Sequence, residues 1–169
     1  MSKIRKKKSA FCKIFTEKGC GTGFICEVKI KDKKIKFLFT NNHIINKAQI
    51  NNIGSNILIF NNDEEKIIEI KDNRFVYTSV NLDFTCIEIF ENENFKNYLE
   101  IDKSINCENP LEEFKNDLLV IMQCPENEDV SYAEGKIKDF RKKIKELFIL
   151  FQVKKVLLVL PSIMNSKNS

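Results

Sequence analysis

The 169-residue chain contains no tryptophan and a single histidine, and none of its apolar runs reaches the roughly 20 residues that a membrane-spanning helix needs. Its most apolar stretches, LFILF and VLLVLP near the C-terminus, are separated by Lys154 and Lys155, which excludes a spanning helix there. No apolar segment follows the first basic residues before Cys12, so no secretory signal is legible and the expected compartment is the cytoplasm. The six cysteines (Cys12, Cys20, Cys26, Cys86, Cys107, Cys124) include no C-x-x-C pair and are expected to be reduced thiols. A zinc site built from Cys12, Cys20 and Cys26 is the metal-binding alternative. Small residues buried on strands are the preferred reading.

What is present describes a globular protein. Apolar residues make up 43% of the chain, with fourteen phenylalanines, and the charges nearly balance at 28 basic against 24 acidic. The length suits one ordinary domain, or two small barrels with one cut short. Much of the net +4 sits in two blocks, one of Lys3, Arg5, Lys6, Lys7 and Lys8 and one of Arg141, Lys142, Lys143 and Lys145. Solvated tails are preferred for these over an arm that grips nucleic acid or acidic lipid.

From Phe11 to Phe90 short β-rich runs alternate with polar turn residues, the pattern of an all-β barrel or sandwich. Strands are expected at 24–30, 35–40, 56–60, 66–70 and 84–90, with turns at 31–33 and 61–63. Residues 91–97 read as a linker, after which strands are expected at 118–123 and 130–137, joined around Pro125. No internal repeat is evident. Past Asp139 turn residues vanish and basic residues cluster, and Ile144, Leu147, Phe148 and Phe151 share one face of a possible amphipathic helix. The expected division is a basic tail over 1–10, a first barrel over 11–95, a partial second barrel over 96–140, and an atypical tail over 141–169.

His43 follows a buried run in the segment Phe39-Thr40-Asn41-Asn42-His43-Ile44-Ile45. Alone, a histidine at a strand end reads as structural or exposed, and an aspartate heading a strand, as in Asn81-Leu82-Asp83-Phe84, reads as a turn residue. Their order along the chain changes this. Gly21-Thr22-Gly23-Phe24 comes first, where small residues let a strand start tightly, then the TNNH segment, then Asp83 about forty residues later. Together these segments resemble the first barrel of trypsin-like serine peptidases, especially the intracellular or bacterial branch. Leu119 to Pro125 and Tyr132 to Ile137 are similar to strands of the family's second barrel.

The resemblance implies an all-β, trypsin-like double barrel, complete in its first half and incomplete in its second. It implies peptide-bond hydrolysis by a serine, a histidine and an aspartate, with His43 as general base and Asp83 as the carboxylate that orients it. No metal or organic cofactor is implied. The expected partner is a peptide or protein, with no specific nucleic acid, and the oligomeric state is open. The nucleophile belongs in a G-x-S-G-(G/S)-P segment whose backbone N–H groups bind the oxyanion, and no such segment occurs in this sequence. Ser131 lies in the strand before its place, while Ser162, Ser166 and Ser169 have no nearby glycine. No cysteine follows the YAEGKI run to replace it.

The codons for Val156 to Ser162, regrouped one base earlier, are able to read Gly-Ser-Ser-Gly-Ser-Pro-Ile. A departure from an ancestral reading frame between Asp139 and Phe148 is therefore expected to account for the tail. Three functions follow, in order of preference: a degenerate or truncated serine endopeptidase, a pseudoprotease kept as a peptide- or protein-binding module, and a basic protein acting on membranes or nucleic acid.

Overall fold

A computed structural model of the chain describes residues 8–17, 19–61, 64–101, 118–124, 131–136, 151–152 and 157–158. The first sheet contains β1 (Phe11–Thr16), β2 (Gly19–Ile30), β3 (Lys33–Thr40), β4 (Asn56–Asn61), β5 (Glu64–Glu69), β6 (Val76–Ser79), β7 (Phe84–Ile89) and β8 (Leu99–Glu100). Its hydrogen-bonded order is β5-β4-β1-β2-β3-β7-β6, with β8 added in parallel to β2. Every other pairing is antiparallel. The sheet curls into a half-barrel whose path ends at β5 and β6.

Strand alternation sends successive side chains to opposite faces, and here both faces of the central strands are apolar. Phe11, Phe24, Phe39, Cys86 and Tyr77 occupy one register row across β1, β2, β3, β7 and β6. Phe24 and Phe39 of this row stack with centroids 5.5 Å apart, and Phe39 also stacks on Phe84, two residues along β7 from Cys86, at 5.6 Å. The adjacent row, Ile25, Leu38, Ile87 and Val76, faces the other way. That side holds an aliphatic core of Ile14, Ile25, Leu38, Ile59, Ile68 and Ile87, all fully buried. Each such side chain contributes about 1.5–3 kcal/mol on leaving water. Because the centres of β2 and β3 are buried on both faces, Phe24-Ile25-Cys26 and Phe37-Leu38-Phe39 are continuous apolar runs rather than alternations.

Three strands of this sheet, β1, β6 and β8, were not among the runs legible in the sequence. The segment after β7 is no free linker. Glu91–Glu93 form a 3-10 turn, Phe95 is buried in the aliphatic core, and Glu93 holds the buried Arg74 guanidinium at 2.6 and 3.0 Å. The two-residue connection Lys31-Asp32 links β2 to β3, with Lys31 in the left-handed region at φ 55°.

A second sheet is formed by β9 (Leu118–Gln123), β10 (Ser131–Lys136), β11 (Phe151–Gln152) and β12 (Leu157–Leu158), in the order β10-β9-β12-β11. Met122 and Cys124 of this region reach the aromatic core of the first sheet, and the Cys124 N–H donates to Thr22 Oγ1 at 2.9 Å. The tail differs from the expected helix: Phe151 lies in a strand paired with Leu158, while Ile144, Leu147 and Phe148 lie outside the described residues. Both basic blocks, apart from Lys8, also lie outside them. Among the described residues no helix is long and apolar enough to cross a membrane.

Candidate active site

At the end of β3 the buried Thr40 donates through Oγ1 to the Thr22 carbonyl at 2.9 Å, which fixes where the strand stops. The chain then turns tightly, because the Asn41 carbonyl accepts from the N–H groups of both Ile44 and Ile45 at 3.2 Å. Fully buried Ile45 anchors the far side, and its carbonyl accepts from Thr85 Oγ1 at 2.6 Å. Asn42 donates to Thr78 Oγ1 at 2.5 Å, and Thr78 and Thr85 share a hydroxyl contact at 2.8 Å. His43 is left at the apex with its side chain 40% exposed. Beyond it the short helix α1 (Lys47–Ile50) is held by a capping box in which Asn46 Oδ1 accepts from Ala48 N–H at 2.9 Å and Gln49 Oε1 accepts from Asn46 N–H at 2.9 Å.

Asp83 closes the turn between β6 and β7. Its N–H donates to the Val80 carbonyl at 3.1 Å and its backbone is left-handed at φ 45°, a region that aspartate tolerates better than most residues. This turn aims the carboxylate at the β3 end. Asp83 Oδ2 lies 2.7 Å and Oδ1 2.9 Å from His43 Nδ1, and Oδ1 also accepts from the His43 backbone N–H at 2.9 Å. The structure thus brings together the two site residues expected from the sequence, forty positions apart.

A carboxylate at Nδ1 places the ring proton there and leaves Nε2 of the part-exposed ring as the acceptor, the tautomer a general base requires. Sequence reasoning did not single out Asn41. Its side-chain amide donates to Asp83 Oδ2 at 3.1 Å and to the Asp83 carbonyl at 3.2 Å, and the residue is only 7% exposed. Its polarity alone gives no signal of this role, which rests on the carboxylate that its amide meets.

Among the described residues no serine or cysteine side chain hydrogen-bonds to the His43 imidazole. Ser131 lies on β10 with its hydroxyl buried and unpaired, and Ser162, Ser166 and Ser169 lie outside the described residues. The thiols are poor substitutes. Cys12, Cys26, Cys86 and Cys124 are buried, and desolvation drives all four upward, Cys86 to about 12 and Cys124 to about 11. They stay protonated at neutral pH and unreactive. The zinc grouping is not assembled: Cys12 packs in the aliphatic core and Cys26 in the aromatic one, on opposite faces of the sheet. Among the described residues no three histidine, cysteine or acidic side chains converge as metal ligands. Cys107 lies outside them.

A groove of about 620 Å³ runs beside the histidine segment, lined by Phe15, Ile45, Asn46, Gln49, Ser55 and Leu58 among others. Its walls combine apolar surface with side-chain amides and a hydroxyl.

No protein-family profile matches the sequence, and no curated protein sequence matches it. Solved structures do. The Rv3671c protease in its inactive form superposes with a TM-score of 0.51 at 13% identity, over 80% of this chain and 55% of that one. A human pathogenic astrovirus serine protease superposes with a TM-score of 0.48 at 17% identity, over 77% of this chain and 62% of that one. The chain therefore spans little more than half the length of the Rv3671c structure. Its half-barrel has the fold of the trypsin-like double-barrel proteases.

Proposed function

We propose that the chain is a serine-endopeptidase-type barrel that keeps the base half of a Ser-His-Asp site and, within these 169 residues, has no nucleophile to activate. His43 is the base and Asp83 the carboxylate that orients it. The observation carrying this reading is the 2.7 Å contact between His43 Nδ1 and Asp83 Oδ2, reinforced by the His43 N–H bond to the same carboxylate. Peptide hydrolysis needs a hydroxyl or thiolate near Nε2 and an oxyanion hole aimed at the carbonyl. The sequence offers no G-x-S-G-(G/S)-P segment for either, so the chain by itself is expected not to cleave peptides.

The test is labelling of the purified chain with a fluorophosphonate, alongside Ser162→Ala and His43→Ala. The expected result is a folded sample without label. Label that disappears in both variants identifies Ser162 as an unconventional nucleophile and overturns the proposal.

A second reading, a non-catalytic peptide- or protein-binding module, is favoured by the groove beside Ile45 and Asn46. Fluorescently labelled unstructured peptides are then expected to gain polarisation with the chain and to lose it in Gln49→Arg, which fills the groove. Equal binding by that variant argues against this reading.

A further inference from the structure

We propose that Asn41 is the positioning residue of the His43–Asp83 pair, a single side chain that holds both the Asp83 turn and its carboxylate in the orientation the imidazole needs. The inference rests on the reading of His43 and Asp83 as base and orienting carboxylate, and its test does not depend on hydrolysis.

Asp83 needs external restraint for two reasons. Its backbone is left-handed at φ 45°, where a residue with a Cβ is less stable than in the right-handed regions. Its carboxylate is 31% exposed, so water competes for both oxygens. The turn itself supplies one restraint, the Asp83 N–H bond to Val80, and the His43 backbone N–H supplies a second at Oδ1, which leaves Oδ2 and the Asp83 carbonyl to be held. The imidazole cannot also serve as the clamp, since it is the group to be positioned and is the more exposed partner.

Asn41 supplies what is missing. One amide nitrogen bridges the Asp83 carbonyl at 3.2 Å and Oδ2 at 3.1 Å, tying the backbone and the carboxylate of the same residue together. The opposite end of Asn41 is equally fixed, because its own carbonyl accepts from Ile44 and Ile45 and so forms the turn that carries His43. The two turns are therefore referenced to one residue. Oδ2, the oxygen held by the amide, is also the one nearest Nδ1.

The neighbour Asn42 provides the contrast. It too is buried and belongs to the same turn, but its amide donates to Thr78 and no hydrogen bond joins it to Asp83. If Asn41 served only to stabilise the turn, the two asparagines would behave alike. A positioning role separates them, since only loss of Asn41 frees Oδ2 and the Asp83 carbonyl, while the His43 N–H still holds Oδ1.

His43 is the only histidine in the chain, so its imidazole nitrogens give one set of NMR signals. In the unsubstituted protein the neutral ring is expected as the Nδ1–H tautomer with a slowly exchanging Nδ1 proton. In Asn41→Ala the Nδ1 proton is expected to be lost to fast exchange, and the nitrogen shifts to move toward the Nε2–H tautomer favoured by a free imidazole. Asn42→Ala is expected to lower stability and leave both signatures in place. Unchanged signals in Asn41→Ala, or the same change in both variants, overturns the proposal. Should Asn41→Ala fail to fold, the native chain still decides the matter: the Asn41 side-chain amide protons are expected to exchange more slowly than those of the exposed Asn51 and Asn52. Equal exchange rates refute the clamp. Fluorophosphonate labelling bears on the nucleophile alone, so failure of the functional reading and failure of this one are told apart.

Discussion

Burial of thiols has a consequence in pH that can be signed. Desolvation raises Cys86 from 9.0 to about 12 and Cys124 from 9.0 to about 11. Below pH 9 both states hold these protons and the thiols add no pH dependence. Between about 9 and 12 the unfolded chain releases protons that the folded chain retains, so folding stability falls as pH rises through that window. The urea midpoint is expected to drop more steeply in the unsubstituted chain than in Cys86→Ala, and parallel curves would refute the assignment. At this scale the sequence revealed chemistry better than position. The buried, reduced character of Cys12 and Cys26 followed from their setting among apolar residues, but which face each occupied depended on strand register, and only register separates them into two cores. Asn41 was passed over for a related reason: polarity suggests a surface residue until the structure shows the carboxylate that its amide meets.

Within the elements, the glycines of β2 do more than open a strand. The strand starts at Gly19, so Gly21 and Gly23 lie inside it, and a methyl group at either would meet a neighbour. At Gly21 that neighbour is Ile44, with Cγ1 at 2.6 Å and Cγ2 at 2.8 Å, directly beside His43. At Gly23 it is the Ile14 and Leu38 side-chain ends and the Phe39 carbonyl. Both alanine variants are expected to cost about 1–3 kcal/mol by overpacking, read as a lower urea midpoint, while only Gly21→Ala shifts the His43 imidazole signals. Movement of His43 in Gly23→Ala as well would show that the effect is not local. The sheet edges give a second contrast. Strand β5 carries Glu64, Glu65, Lys66 and Glu69, charges that discourage pairing with another chain. Strand β6 carries none, contains Tyr77 and is preceded by Phe75, which are 48% and 56% exposed. Tyr77→Lys is therefore expected to lower light scattering at high protein concentration, whereas Ile67→Lys on β5 leaves it unchanged. The reverse order would place the vulnerable edge on the other side. Apolar runs made the central strands legible, but β6 was not, because Val76 to Ser79 is short and polar and is ordered by its pairing with β7 rather than by its own composition.

Across the whole molecule the two sheets share one core. Met122 is fully buried among the phenylalanines of β1, β2 and β3, Cys124 donates from its backbone to Thr22, and Lys8 sits over the Tyr132 ring of β10 at 4.8 Å. The strand containing Met122 was evident from the run Leu118 to Gln123, but its docking surface was not. Alternation shows that a strand has two faces and is silent on what covers each. The aromatic face of the first sheet thus needs the second sheet to exclude water, and the second sheet, built from six-residue and two-residue strands, has little independent support. Both should unfold in one transition. Truncating Met122 to alanine removes buried volume from their shared core, which costs about 2–5 kcal/mol. In Met122→Ala, far-UV circular dichroism, dominated by the first sheet, is expected to shift to lower urea by the same amount as fluorescence of a variant in which Tyr132 is the only tyrosine. Melting of the Tyr132 signal ahead of the dichroism, in either the unsubstituted or the truncated core, would mean that the second sheet docks without being needed, and that the half-barrel bearing His43 and Asp83 stands alone.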